Sequence, residues 1–310
     1  MAKYNLIIFH VPRRQQLSDF LTIRNMMAGR APDIDVHVIP TAIPIPADFC
    51  RQAAERPTLI FSPMPLRLDP KFRGARLITC DRKKSEEVEM LTRAGFPVPD
   101  TRTITQDLAL DETAWGPFSV VKPDVGYRGR GIRLVRTRHV RWSDTRSLPK
   151  DDPRHGRDLL AQRYIHSGPY AQCYRVMTVL GRPIYAMASV ASEKLVPLDA
   201  DGKDEIDFDV AANGMERKLT LVYDEAVIAL ASAVSVRFTQ IPVMGIDIIR
   251  EHATGELHVL ELNSSGRTWH LSSDHGLGHQ RDYGLDIYGQ FNALGTITDA
   301  LIEATRAMAK

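Results

Sequence analysis

Residues 244–266 read MGIDIIREHATGELHVLELNSSG, two apolar runs about a short turn, each interrupted by an acid. Alternate residues of a strand share a face. Glu261 and Asn263 therefore point the same way, and Asp247 meets them from the partner strand. A solvated sheet face would account for such acids. Because they break otherwise apolar strands, a lined cavity is favoured. Three oxygen side chains there suit a hard cation, Mg²⁺ with Mn²⁺ as an alternative, completed by phosphates and water.

A second stretch, GPFSVVKPDVGYRGRGIRLV at 116–135, ends an apolar run in Lys122 and continues into a turn with Gly126, Gly129 and Gly131. Glycines let a backbone turn tightly and bring amide N–H groups to an anion. Alone, this pattern equally describes a solvated hairpin tip, and it is neither a P-loop nor a dinucleotide fingerprint. Together the two stretches point to a nucleotide polyphosphate carried on Mg²⁺.

The 310 residues suggest two or three packed units. With 44% hydrophobic and 25% charged residues, disorder is a poor description of the whole. A net charge of +2 provides no field to gather nucleic acid. The local run Arg128, Arg130, Arg133, Arg136, Arg138 and Arg141 has only Tyr127 and Trp142 as aromatic neighbours. A phosphate or a solvated face explains it better than base stacking. Cys50, Cys80 and Cys173 lack disulfide or metal spacing. No signal peptide is evident, and no window approaches the about 20 apolar residues of a membrane span. The expectation is a soluble, cytoplasmic protein with no membrane or nucleic-acid partner, and a homodimer as the default oligomer.

Apolar periodicity predicts strands at 4–9, 34–39, 58–61 and 76–79, with helices at 15–28 (stopped by Gly29) and 49–54. That alternation favours a parallel sheet covered by helices. A helix at 84–94 with Val88, Met90 and Leu91 on its apolar face follows, then strands at 119–122 and 131–136 flanking the glycine turn. Hairpins are expected about Gly181 and about 252–256, with helices at 224–238 and 298–308. Residues 197–218 and 264–284 read as loops.

The piece QRYI, Gln162, Arg163, Tyr164 and Ile165, is extended and could meet a flat base. Arg175 opens a strand, and its fork suits phosphate or developing negative charge, although a lone strand arginine is commonly a surface ion pair. His270, His275 and His279 crowd a glycine-rich stretch with Asp274 nearby. The HExxH motif is absent and the context reads as irregular, so zinc is disfavoured and a substrate wall or lid preferred. Ser264, Ser265, Gly266 and Arg267 are candidates for that wall, with Arg267 able to clamp a carboxylate.

In this order the stations resemble an ATP-grasp ligase of the glutathione synthetase and amino-acid ligase kind. KSEEVEMLTRAGFPVPDT resembles the family's lysine-led helix and entry, with Lys84 at the lysine position. VVKP resembles its second phosphate lysine, Lys122, and residues 126–131 its glycine lid. LAQRYI resembles the adenine hinge, YRVMTVL the strand bearing Arg175, and GIDII with VLELNSS the metal strands. The family's acid for the ribose after the hinge is missing, and Gln172 is the nearest substitute.

The resemblance implies an α/β protein. A parallel-sheet domain at 1–81 would precede an ATP-grasp fold of two α+β sub-domains, at 82–165 with the lid and at 166–310 with the metal. It implies Mg-ATP held by Lys84 and Lys122, Mg²⁺ on Asp247, Glu261 and Asn263, and catalysis by Lys122 and Arg175. It also implies small-molecule acid and amine substrates, amino-acid or peptide-like, joined through an acylphosphate. A phosphotransferase or a non-catalytic nucleotide-binding protein on the same fold is the alternative.

Overall fold

The computed structural model describes residues 2–12, 14–42, 45, 47–53, 55–67, 73–126, 129–194, 205–206, 216–264 and 269–310. The apolar runs near the N-terminus become β1 (Tyr4–His10), β2 (Ile34–Pro40), β3 (Thr58–Ser62) and β4 (Ala75–Ile78). They pair in parallel in the order β2-β1-β3-β4. Helix α1 (Leu17–Arg30) buries Phe20, Ile23 and Met27 against this sheet. It runs through Gly29, where a stop was expected, because a single exposed glycine costs a helix only about 1 kcal/mol. A short α2 (Ala47–Ala53) covers part of the other face.

Next come α3 (Lys84–Arg93), β5 (Thr101–Thr103), α4 (Glu112–Trp115), β6 (Phe118–Pro123), β7 (Arg133–Arg136) and β8 (Leu159–Arg163). An antiparallel sheet runs β11-β7-β6-β8-β5, where β11 is Glu205–Ile206. The stretch expected to be a loop thus contributes a strand to a sheet otherwise built from earlier residues. The third sheet, also antiparallel, runs β12-β10-β9-β13-β14, from β9 (Tyr170–Val179), β10 (Arg182–Lys194), β12 (Arg217–Leu221), β13 (Val243–Arg250) and β14 (Leu257–Asn263). The apolar side of α5 (Glu225–Arg237) covers one face with Val227, Ala231 and Val234 packed on Val176, Ile246 and Val259. The opposite face carries Met177, Val179 and Tyr185 into one core with Trp269, Phe20 and Leu6. The C-terminal α8 (Ala293–Met308) lies beside α1 and buries Ile297 and Leu301 in that core.

A bulge in β14 matters for the site. Asp247 pairs with Glu261, but Ile248 pairs with Val259, so Leu260 is the extra residue. The bulge reverses the alternation. Leu257 and Val259 pack towards α5, and so does Leu262, which leaves His258, Glu261 and Asn263 on the other face.

Residues 264–284, expected as loop, contain α6 (Asp274–Tyr283), and α7 (Ile287–Gln290) follows. The Ser273 side chain accepts from the Gly276 amide and Gly284 ends α6 in the left-handed conformation. Its glycines hid it from propensity, yet one is needed. A Cβ at Gly276 would stand 2.0 Å from the His270 carbonyl oxygen.

The N-terminal sheet is locked to the rest through a buried acid. Asp19 of α1, 3% exposed, accepts from Trp269 Nε1 at 2.8 Å, Ser272 Oγ at 2.5 Å and Tyr288 Oη at 2.8 Å. Removing the acceptor would leave three donors desolvated and unmatched. Asp19→Ala should therefore lower unfolding stability by about 3 kcal/mol, measured by urea denaturation. A loss under about 1 kcal/mol would show that the network does not hold the two parts together.

Candidate active site

The site begins where β6 meets α3. Asp124, just past the end of β6, accepts from the Ser85 amide at 2.8 Å and from Ser85 Oγ at 2.9 Å. Its carbonyl accepts from the Lys84 amide at 3.1 Å. An anion that satisfies the free amides of a helix start is a strong cap. It also fixes where Lys84 leaves the helix. Lys84 Nζ lies 2.8 Å from Glu261 Oε2 on β14. Lys122, on β6 and 5% exposed, donates to Gln162 Oε1 at 3.0 Å. Gln162 Nε2 in turn donates to Thr101 Oγ1 at 2.9 Å. The side chain of Gln162, expected to meet a base, is thus turned to hold Lys122.

On the central sheet, Asp247 stands between Arg175 of β9 and Glu261 of β14, directly paired with each. Arg175 grips it with both arms, Nε at 2.7 Å and Nη2 at 2.6 Å. Asn263 Nδ2 donates to the same carboxylate at 3.1 Å. The structure therefore brings Lys84, Lys122, Arg175, Asp247, Glu261 and Asn263 into one cluster.

The cluster's electrostatics follow from burial. Desolvation opposes the charge on Glu261, yet Lys84 and Lys122 outweigh it and hold its pKa below the ordinary carboxyl value. Burial pushes Lys122 down to about 8, with Lys84 adding like-charge repulsion against the pull of Glu261. Burial likewise opposes Arg175, and Asp247 more than offsets it, so Arg175 stays charged. Asp247, Glu261 and Asn263 present oxygen atoms on one face, and Glu261 is kept ionised, as a divalent cation would require of a carboxylate there. The donor set fits Mg²⁺.

One member escaped the sequence reading. Glu87, one turn after Lys84, is buried where Val88 was expected, alongside Leu91. Burial, then repulsion from Glu261, pushes its carboxyl up to about 8. Spacing from Lys84 could have found it, since residues three apart on a helix are neighbours.

The hinge segment is less uniform. Arg163 Nη1 lies 3.6 Å from Glu251, and its amide donates to the Asp100 carbonyl at 2.8 Å. Ile165 is buried, and Tyr164 packs beside the cluster of Phe118, Val120 and Leu134, where burial pushes its phenol up to about 12. Gln172 donates to Tyr174 Oη at 3.0 Å. Among the lid glycines, Gly129 and Gly131 have φ of 69° and 78°, which disfavours any side chain there. A Cβ at Gly126 would meet the Pro123 ring at 3.1 Å. Tyr127 and Arg128 of the lid, and Ser265, Gly266 and Arg267 of the expected substrate wall, lie outside the described residues. Ser264 donates to the Cys80 carbonyl at 2.8 Å.

The histidines are closer together than the irregular reading implied. His275 and His279 sit one turn apart on α6, with ring centroids 4.0 Å from each other and 5.4 and 5.8 Å from His270. His270 stacks on Tyr185. Burial, then the nearby charge of Arg175, drives His270 well below its ordinary pKa. His279 is lowered too, to about 4, mainly by burial, so His270 and His279 stand as neutral imidazoles within the electrostatic reach of Arg175.

No family model matches the chain, and no curated protein matches it in sequence. Solved structures do match. The ATP-grasp ligase PsnB complexed with minimal precursor overlaps with a TM-score of 0.52 at 16% identity, over 97% of this chain and 98% of that one. PsnB complexed with precursor peptide PsnA2 and AMPPNP gives 0.52 at 15% identity, over 97% and 98%. The complex with a phosphomimetic variant of minimal precursor, Mg and ADP gives 0.51 at 16% identity, over 98% and 100%. This chain has the ATP-grasp fold. The parallel N-terminal sheet and the two antiparallel sheets are its parts, and the overlap runs nearly end to end. Among the described residues no helix is long and apolar enough to cross a membrane.

Glu87 allows a direct check on the cluster in protein free of metal and nucleotide. Its folded pKa lies above its ordinary 4.5, so the folded state holds the proton more tightly. The stability this confers is full below pH 4.5 and is lost as pH rises through about 8. Glu87→Gln should flatten the fall in unfolding free energy across that window. An unchanged slope would show that Glu87 is not the buried acid responsible.

Proposed function

We propose that this ATP-grasp protein is an ATP-dependent carboxylate–amine ligase. The observation that carries the reading is the contact of Lys84 with Glu261, beside buried Lys122 and the Arg175–Asp247 pair. Cations from α3 and β6 meet carboxylates of the central sheet in a cluster able to receive a polyanion and its metal. The PsnB structures with AMPPNP and with Mg and ADP support the same use of the fold.

On this reading residues 1–81 form the pre-ATP-grasp domain, 82–165 the sub-domain with the glycine lid, and 166–310 the sub-domain with the metal. Asp247, Glu261 and Asn263 would hold Mg²⁺, which when bound neutralises and orients phosphate oxygens. Lys84 and Lys122 bind phosphate, and Gln162 orients Lys122 for it. Arg163, Tyr164, Ile165 and Gln172 border the base and ribose. A substrate carboxylate oxygen attacks the γ-phosphorus, and ADP leaves. An amine nitrogen then attacks the acyl carbon, phosphate departs and the nitrogen loses a proton. Arg175 stabilises the negative charge that develops, and no protein nucleophile is required. The lid at Gly126, Gly129 and Gly131 excludes water that would hydrolyse the acylphosphate. Ser264 to Arg267 and the α6 histidines border the acid substrate. The protein would act in the cytoplasm on small or peptide-like acids and amines.

ADP release should require both an acid and an amine, and hydroxylamine in place of the amine should yield a hydroxamate. A stable phosphorylated product formed without amine would establish a phosphotransferase instead. In the same assay Glu261→Gln should lower kcat by roughly 100-fold or more while the far-UV circular dichroism is retained. Undiminished turnover would remove Glu261 from the metal site.

A further inference from the structure

The turn of the β13–β14 hairpin carries a second set of ligand groups that the nucleotide reading does not use. Glu251 follows β13 and Glu256 precedes β14, and the Glu251 amide donates to the Glu256 carbonyl at 2.8 Å. That bond sets the two acids opposite each other. His258, the second residue of β14, lies two residues beyond Glu256. One ligand atom from each of Glu251, Glu256 and His258 lies within 4.8 Å of the others.

Acids at an exposed turn prove little alone. His258 changes the matter. It is 7% exposed, and neither ring nitrogen has a hydrogen-bond partner. A buried imidazole left wholly unmatched is costly, and native proteins seldom tolerate it. The groups already on Glu251 are Arg163 Nη1 at 3.6 Å and Thr254 Oγ1 at 2.9 Å, which leave Glu256 and His258 free to converge on a shared ion.

We propose that Glu251, Glu256 and His258 bind one divalent transition-metal ion, of the Zn²⁺ or Mn²⁺ class, at a site separate from the Asp247–Glu261 cluster. One imidazole nitrogen with two carboxylates selects such an ion over Mg²⁺, which takes oxygen ligands. The ion would stiffen the turn against the segment after β8, where the His252 amide already donates to the His166 carbonyl at 2.8 Å.

The test uses the full chain, stripped of metal, without nucleotide and in excess Mg²⁺ to occupy the oxygen site. Zn²⁺ and Mn²⁺ are titrated in by calorimetry, and thermal unfolding is followed in parallel. One equivalent should bind to the wild type and raise the melting temperature. Glu256→Gln, at an exposed position that should not disturb folding, should weaken binding at least roughly tenfold, and His258→Gln should do the same. His279→Ala should leave binding intact. Absence of binding by the wild type, undiminished binding by both the Glu256→Gln and His258→Gln variants, or loss confined to His279→Ala would each overturn the assignment.

Discussion

The ion pair between Lys84 and Glu261 is the contact around which the rest of the site is arranged. It joins the start of α3 to the edge strand of the central sheet, and Asp124 ties that same helix start to the end of β6. Lys122 leaves β6 one residue before Pro123 and is buried beside the pair. Three elements distant in sequence therefore share one charge cluster. A half-buried ion pair of this kind adds little net stability after desolvation. Its presence here accords with the proposed function, in which phosphate would take the lysines and metal the carboxylates.

The cluster is biased towards that exchange. Near neutral pH Glu87 is mainly protonated, because burial and Glu261 push its carboxyl up to about 8. Asp247 and Glu261 then face Lys84, Arg175 and a Lys122 whose charge is only partly suppressed. The surplus is cationic and partly shielded from solvent, where an anion is held more strongly than in water. The Asp19 network fixes the N-terminal sheet, through α1, to the segment bearing Trp269 and Ser272.

Much of this was legible in the chain. The runs at β1, β3, β13 and β14 are apolar enough to declare strands, and acids set within them mark a lined face. Lys122, Arg175, Asp247, Glu261 and Asn263 stand out in the sequence by residue type and strand context, Lys84 by the family resemblance, and the fold gathers them. Three features were hidden for physical reasons. The bulge at Leu260 leaves no sequence mark, because an extra strand residue differs from its neighbours only in pairing. Glu87 reads as a surface residue of a charged helix until β14 packs against α3. Helix α6 carries two glycines in its interior, so local propensity argues against it, and only the close approach of Gly276 to the His270 backbone explains one of them.

The central claim is that lysines and carboxylates from different parts of the fold converge on one nucleotide. Calorimetric titration with a non-hydrolysable ATP analogue, with and without Mg²⁺, tests it most directly. The account predicts one Mg²⁺-dependent site per chain, weakened by Lys122→Met and, only when Mg²⁺ is present, by Asp247→Asn. Binding that ignores Mg²⁺ and both substitutions would contradict it.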